Sequence, residues 1–301
     1  MNITDYKMKK GMRIDELVGQ MENSGFQASE LHKTTGILKE MISDKECTCF
    51  LAFTANMAAS GLRGILADMM KRKMFDAVIT TGGSIDHDLI RSFSDYGKGD
   101  FQQDDVQLHK KGINRLGNIL IDNKGYVELE KRMQPLLRKM HAEKKVWTAG
   151  ELIDQIAMTI KDEGSFLHQA YKNKIPIFSP GLIDSAIGLQ LFFFKQDHKD
   201  FILDVTGDMK ELANLVLTAK RTGALILGGG ISKHYTIACN LLRGGLDYSA
   251  YVTTASAYDG SLSGAFPQEA KSWGKIKEKG RTAVVYGDAT ILLPLIYSQM
   301  E

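Results

Sequence analysis

The sequence has few of the features that mark specialised classes of protein. Its 301 residues include only three cysteines, Cys47, Cys49 and Cys239, which argues against a secreted disulfide scaffold and fits a reducing compartment. Cys47 and Cys49 form a C-x-C without a second pair, so we expect small buried side chains there and no metal site. The formal net charge of +2 gives no reason to expect nucleic acid or an anionic membrane as a partner.

Long hydrophobic runs are also missing. Residues 1–13 are polar and basic with no apolar segment behind them, so we expect no signal peptide. The most apolar stretch, residues 175–194, contains Pro176, Pro180 and Asp184, which favour a strand, a loop and a helix start over a membrane span. A cytoplasmic protein without internal repeats or flexible linkers is the resulting expectation.

Short apolar runs that end in turn-forming residues recur along the chain, at residues 76–83, 175–181, 224–230, 250–255 and 282–289. Runs that are apolar throughout suit strands buried on both faces of a parallel sheet. Amphipathic segments at 58–72 and 209–222 predict helices between them. We therefore predict a doubly wound, Rossmann-like α/β fold of mostly parallel strands with helices on both faces. Residues 1–45 are predicted to form a helical N-terminal arm, and residues 46–301 a single α/β domain.

Ligands of such sheets bind at the carboxyl ends of the strands, where this chain places glycines and acids. Gly228, Gly229 and Gly230 directly follow a predicted strand and could admit a phosphate or only a tight turn, since no G-x-G-x-x-G occurs. Four aspartates occupy similar strand-end positions, where a carboxylate binds ribose hydroxyls or a cationic substrate, or caps a helix; they are Asp86, Asp184, Asp259 and Asp288.

Two further residues could carry chemistry. Lys275 lies two residues after Trp273, and partial desolvation there would lower the pKa of its amine and favour imine formation; a solvated surface lysine is the alternative. His234 follows the three glycines and suits either a general base or a core imidazole.

Six segments together resemble the deoxyhypusine synthase family, and the resemblance spans nearly the whole chain. The most specific are Asp259–Ile276 (DGSLSGAFPQEAKSWGKI) and Leu227–His234 (LGGGISKH). The others are Thr80–Gly83 with Asp86, Gly112–Asn118 (GINRLGN), Phe178–Asp184 (FSPGLID) and Tyr286–Ala289 (YGDA).

The resemblance implies an NAD-dependent aminobutyl transferase of hypusine biosynthesis. NAD oxidises spermidine, and the aminobutyl part of the resulting imine is captured covalently on Lys275. That part then passes to one lysine of the translation initiation factor 5A precursor, where the retained reduced cofactor converts the new imine to an amine. His234 is implied as the proton acceptor. The family also implies a homotetramer in which each active site is shared between two subunits.

The resemblance assigns the remaining site residues by position. Glu269, Trp273 and Tyr251, with His234, are implied to line the polyamine site. NAD is implied to contact Asn56, Thr81, Asp184, Gly228, Gly230, Thr254, Ala255, Asp259, Gly260, Asp288 and Ala289, and no metal is implied.

The sequence departs from the family pattern at three positions. Leu189 and Leu262 stand where eukaryotic members carry carboxylates that hold the amines of spermidine, and His87 stands where an acid is expected. These differences leave open which polyamine is the preferred donor. They also leave open whether the acceptor is a protein lysine or a free diamine, as in homospermidine synthase-like relatives. A non-catalytic NAD-binding relative is the remaining alternative, which the retention of Lys275, His234 and Glu269 disfavours.

Overall fold

The computed structural model describes residues 2–300. Its α-helices are α1 Ile14–Gln20, α2 Phe26–Ser43, α3 Ala55–Ala59, α4 Arg63–Lys71, α5 Gly82–Arg91, α6 Asp105–Lys110, α7 Asn123–Glu143, α8 Ala149–Thr159, α9 Phe166–Asn173, α10 Ala186–Asp197, α11 Met209–Thr218, α12 Gly230–Cys239, α13 Pro267–Ser272 and α14 Ala289–Tyr297. Its strands are β1 Cys47–Phe53, β2 Ala77–Ile79, β3 Gly97–Lys98, β4 Ile113–Leu116, β5 Ile119–Asp122, β6 Val146–Thr148, β7 Ile177–Phe178, β8 Ile202–Asp204, β9 Arg221–Leu227, β10 Leu246–Thr253 and β11 Ile276–Tyr286.

The chain divides into two compact units. The first contains the described residues up to 53, residues 74–79 and those from 210 onward; the second contains residues 54–73 and 80–209. The division into a helical arm, residues 1–45, and a single α/β domain, residues 46–301, stays a prediction. None of the helices within residues 2–300 combines the length and the apolar character that a bilayer crossing requires.

The first unit is built on parallel strands in the order β11-β10-β9-β1-β2. Residues 224–227 of β9 are fully buried, as a strand with neighbours on both edges and helices nearby requires. Helix α2 packs on β10 and β11, and α12 packs on β1 and β9. Gly223 lets α2 approach closely, because a Cβ there would lie 2.5 Å from Sδ of Met41. This parallel sheet flanked by helices confirms the predicted Rossmann-like α/β fold.

The second unit is mostly helical. It adds a small antiparallel sheet in the order β3-β5-β4 and a parallel pair, β6 and β8. A buried ion pair joins two of its helices: Nε of Arg63 on α4 lies 2.6 Å from Oδ1 of Asp88 on α5. The Asp88 carboxylate also accepts a 3.0 Å hydrogen bond from the Leu167 backbone N–H of α9, so one charged pair ties three helices together.

Two predicted helices differ from the structure. The helix expected over residues 58–72 is broken into α3 and α4, because the Ser60 hydroxyl donates to the Met57 carbonyl and accepts from the Leu62 N–H. These local bonds replace helical ones. The helix expected over 209–222 ends at Thr218, because Arg221 already pairs with Cys47 in the sheet. The two cysteines of β1 are small buried side chains, as predicted.

Candidate functional site

A cavity of about 330 Å³ lies in the first unit, where α12, α13 and the loop between β10 and α13 meet. Within it the structure brings together all five residues that the resemblance assigns to catalysis and polyamine binding: His234, Tyr251, Glu269, Trp273 and Lys275. The rest of the lining is Lys233, Ile237, Gly260, Leu262, Ala265, Phe266 and Ala270. The roles of the five residues stay predictions, but their shared location is an observation.

Lys275 is presented by a tight turn at the end of α13. Gly274 has φ of +69°, a conformation that glycine adopts readily, and the chain then enters β11. The Lys275 N–H donates to the Ala270 carbonyl at 3.0 Å, and the Lys275 carbonyl accepts from the Leu246 N–H at 3.1 Å. Its Nζ lies 5.1 Å from the centre of the Trp273 ring, within the range of a cation–π interaction. The side chain is half-buried, so its amine can be reached from the cavity.

His234 and Glu269 each lie near the start of a helix. His234 is exposed in α12, five residues after Gly229, and Glu269 is exposed in α13. Pro267 begins α13, a position that suits the fixed φ of proline. An imidazole and a carboxylate therefore line the same cavity as the Lys275 amine.

Lys233 is a cavity residue to which sequence reasoning assigned no role. It is 1% exposed, and burial lowers the pKa of its ammonium to about 8, an effect that Glu269 partly opposes. Its Nζ lies 4.4 Å from the centre of the Tyr251 ring. Tyr251 is itself 1% exposed, and burial raises the pKa of its hydroxyl to about 12. The position of Lys233 next to His234 in the quoted motif was the only available signal, because burial cannot be read from one lysine in an amphipathic helix.

The glycine turn between β9 and α12 leaves backbone uncovered. Gly228 and Gly230 have φ of +85° and +62°, and a Cβ on Gly230 would meet no atom within 4 Å. Gly229 is instead packed against Ser263, where a Cβ would lie 2.3 Å from Oγ. The Gly230 N–H donates to that Oγ at 3.0 Å. Open backbone at the start of a helix suits the phosphates of a dinucleotide.

The other residues assigned to NAD in the first unit follow β10 and β11. Thr254, Ala255, Asp259 and Gly260 lie in the loop after β10, and Asp288 with Ala289 begins α14. Oδ1 of Asp288 accepts from the Thr290 N–H at 2.6 Å and caps the helix. The carboxylate of Asp259 accepts from the Ser261 N–H at 2.7 Å. Hydrogen bonding from the Ser261 side chain, and then from this N–H, lowers the pKa of the Asp259 carboxyl. Both acids are exposed, so each also keeps an oxygen for a ribose hydroxyl.

Three residues assigned to NAD lie in the second unit, at neighbouring turns. Asn56 is in α3, which packs on α5, and Thr81 is the residue before α5. Gly82 touches the turn that contains Asp184, because a Cβ on it would lie 2.6 Å from the Leu182 carbonyl oxygen. Asp184 is exposed. The contact of these three residues with NAD stays a prediction.

Asp86 has a structural partner of its own. Its buried carboxylate accepts hydrogen bonds from the N–H groups of Ala186 and Ile187, at 2.6 and 3.0 Å, and so caps α10. Burial raises the pKa of this carboxyl to about 6. The sequence left open whether Asp86 binds a ribose hydroxyl, binds a cationic substrate or caps a helix, and the structure shows the helix cap. The neighbouring His87 bonds through Nδ1 to the Tyr96 hydroxyl at 2.8 Å, and burial lowers the pKa of its imidazole to about 4.

The two leucines that replace expected acids lie in different places. Leu262 lines the cavity of the first unit, whereas Leu189 lies in an apolar groove of the second unit. Within residues 2–300, no group of three or more His, Cys, Asp or Glu side chains is placed to hold a metal ion.

Comparisons with known proteins agree with the sequence resemblance. The family model for deoxyhypusine synthase matches residues 16–300. A "probable deoxyhypusine synthase" of Picrophilus torridus is 43% identical over 296 residues, which cover 98% of this chain and 95% of that protein. Another, from Sulfurisphaera tokodaii, is 45% identical over 278 residues, or 92% and 89% of the two chains. A crystal structure from Entamoeba histolytica, of a protein assigned to the same enzymes, matches with a TM-score of 0.72 and 21% identity over 99% of this chain and 96% of that one.

Proposed function

Because the chain belongs to the deoxyhypusine synthase family, we propose that it transfers the aminobutyl group of spermidine to a lysine of the translation initiation factor 5A precursor. One observation carries this proposal. A single cavity combines a half-buried lysine beside a tryptophan face with an exposed imidazole and an exposed carboxylate. A lysine nucleophile, a proton acceptor and an anchor for an ammonium are the three groups that such a transfer needs.

NAD is the proposed cofactor, and the residues of the first unit fit it. The turn with positive φ at Gly228 and Gly230, which is open beside Gly230, suits the phosphates, and the exposed carboxylates of Asp259 and Asp288 suit ribose hydroxyls. Bound there, NAD would supply a reversible hydride acceptor for the carbon next to the secondary amine of spermidine. We also propose that Asn56, Thr81 and Asp184 contact NAD, together with Thr254, Ala255, Gly260 and Ala289.

The protein residues then have distinct proposed roles. Glu269 holds a terminal ammonium of the donor, and His234 accepts the proton that the secondary amine releases. The Lys275 amine attacks the oxidised carbon, the bond from that carbon to the departing diamine breaks, and an imine joins the aminobutyl group to Lys275. The acceptor lysine displaces Lys275 from this imine in the same manner. Trp273 and Tyr251 supply aromatic surface along the donor.

A homotetramer with shared active sites and a cytoplasmic location complete the proposal. The family supports the assembly, and the three free cysteines, Cys47, Cys49 and Cys239, suit a reducing compartment.

The test is chemical trapping. The purified protein is incubated with NAD and spermidine, reduced with borohydride and mapped by mass spectrometry. We expect a stable aminobutyl addition on Lys275. Lys275→Ala should lose the adduct and still bind NAD by calorimetry, whereas Lys271→Ala, a lysine four residues away that does not line the cavity, should keep it. An adduct of undiminished yield in Lys275→Ala would refute the assigned nucleophile.

The acceptor is tested in the same system. The enzyme is incubated with NAD and spermidine without borohydride, and the factor 5A precursor and putrescine are supplied in separate reactions. Transfer to the precursor supports the proposal, and transfer to putrescine alone would identify a homospermidine synthase-like enzyme.

A further inference from the structure

The cavity contains two lysines whose surroundings differ sharply. Lys275 is half-buried beside the exposed Trp273, whereas Lys233 is 1% exposed. When an imine forms, the amine nitrogen attacks a substrate carbon, and that carbon passes through a tetrahedral intermediate. The attack needs free space around Nζ of the lysine. Lys233 is almost fully enclosed, so its place in the cavity wall calls for a different role.

The ammonium of Lys233 is directed at the backbone of a neighbouring loop. Its Nζ donates to the Ala265 carbonyl at 2.8 Å and approaches the Ser263 carbonyl at 3.3 Å. Its third contact is the face of the Tyr251 ring. Burying an ammonium is strongly unfavourable unless its donors are satisfied, and here two carbonyls and a π face satisfy them. The side chain thus links α12 to the loop.

We call residues 254–266, which join β10 to α13, the site loop. Lys233 holds it where other contacts also converge: the Ser263 hydroxyl accepts from the Gly230 N–H, and the Thr253 hydroxyl donates to the Ser263 carbonyl at 3.2 Å. Within the loop, Gly264 packs closely on Ser256, because a Cβ there would lie 1.6 Å from the Ser256 carbonyl oxygen. The site loop also supplies Gly260 and Leu262 to the cavity wall.

We propose that Lys233 is a positioning residue that fixes the site loop across the glycine turn and so shapes the donor site, and that it is not a second nucleophile. The proposal rests on the proposed function for the identity of the donor, spermidine, but not for the loop contact itself. Without the ammonium, the carbonyls of Ser263 and Ala265 lose their charged donor, and the loop should open more often.

Hydrogen exchange tests the loop contact without any substrate. Lys233→Met removes the charge but keeps the unbranched length of the side chain. We expect amide exchange in residues 256–265 to rise at least about tenfold in the full-length variant. The matched control is Lys271→Met, whose lysine also donates to two carbonyls, those of Glu278 and Gly280, but not to the site loop. Unchanged exchange in Lys233→Met, or an equal rise in the control, would overturn the proposal.

Kinetics then connect the loop to the donor site. We expect Lys233→Met to raise the KM for spermidine about tenfold, with a smaller change in kcat, because Lys275 remains in place. Lys233→Arg, which keeps the positive charge, should recover part of this loss. Borohydride trapping should still place the adduct on Lys275. An adduct on Lys233 in the wild-type protein would refute the proposal, whereas no adduct on any lysine would refute only the proposed function.

A measurement on the unmodified chain covers the case in which Lys233→Met does not fold. Brief acetylation of the native protein, quantified for each lysine by mass spectrometry, should leave Lys233 at least about tenfold less reactive than Lys271, because its amine is enclosed and hydrogen-bonded. Equal reactivity of the two lysines would show that Lys233 does not hold the loop.

Discussion

Three side chains with ionisable groups in the wall of the cavity bear on the proposed binding of a polyamine. Lys233 and Lys275 each contribute an amine, and Glu269 is the one carboxylate among the described lining residues. A polyamine brings several positive charges of its own. At the level of single residues, we therefore expect the proposed donor binding in one chain to depend strongly on Glu269, while the apolar Leu262 contributes surface without charge compensation.

An added carboxylate at position 262 should strengthen donor binding. Leu262 is half-buried in the cavity wall, where an attraction between charges is less screened than in water. We expect Leu262→Asp to lower the KM for spermidine about tenfold, a gain of about 1.4 kcal/mol. Steady-state kinetics with saturating NAD provide the measurement.

Leu262→Asn is the matched control, because it has nearly the same shape as the aspartate variant but carries no charge. Its KM should stay at or above the wild-type value. If Leu262→Asp leaves the KM unchanged, the ammonium groups of the donor lie away from this wall and another residue contributes their counter-charge.

At the level of elements, helix α10 depends on a carboxylate from a different helix. Asp86 of α5 accepts from the first two N–H groups of α10, where the helix dipole favours negative charge. Burial nevertheless dominates and raises the pKa of this carboxyl from 3.8 to about 6. Between those two pH values the folded chain holds a proton that the unfolded chain has released.

The stability contribution of Asp86 should therefore fall as the pH rises from 4 to 7. The folded-state pKa lies above the unfolded value, so the contribution is complete below pH 4 and is lost as the pH passes 6. Relative to Asp86→Asn, which does not titrate, the wild-type free energy of unfolding should drop by roughly 3 kcal/mol over this range. Urea titrations at both pH values measure the difference. Ser185→Ala is the control: it removes the uncharged cap of the same helix, so its effect on the free energy of unfolding should be equal at both pH values. If the stability of the wild type relative to Asp86→Asn grew with pH, the raised pKa of Asp86 would be contradicted.

The elements that the sequence predicted well are those whose pattern has one physical meaning. Runs such as 224–227 are apolar at every position, a pattern typical of a strand or helix that is buried on all sides. The short length and the glycines at the end of the run then favour a strand over a helix. The break at Ser60 was missed because a serine hydroxyl bonds to the backbone only in some helices. The role of Lys233 was missed because its carbonyl partners lie about thirty residues later in the chain.

At the level of the whole molecule, the second unit exposes an apolar groove that a free chain would not be expected to leave uncovered. The groove is lined by α10 and the segments before and after it, and Ile183, Leu189, Phe192 and Val205 are 69%, 51%, 58% and 66% exposed there. Clustered apolar side chains of this exposure mark surfaces that bind another protein. Because the family implies a homotetramer, a second copy of the chain is the partner we expect at this groove.

Phe192→Lys should therefore weaken the assembly. Burying a phenylalanine contributes about 2 kcal/mol, and in a two-fold symmetric interface each copy loses it and gains a charge that must be desolvated. We expect native mass spectrometry at micromolar concentration to show tetramers for the wild type and mainly smaller species for Phe192→Lys, which should still unfold cooperatively. Phe101→Lys is the control, because Phe101 is 68% exposed in the same unit but outside the groove. Tetramers that persist in Phe192→Lys, or dissociate equally in Phe101→Lys, would mean that the copies meet through another surface and that the groove has a different partner.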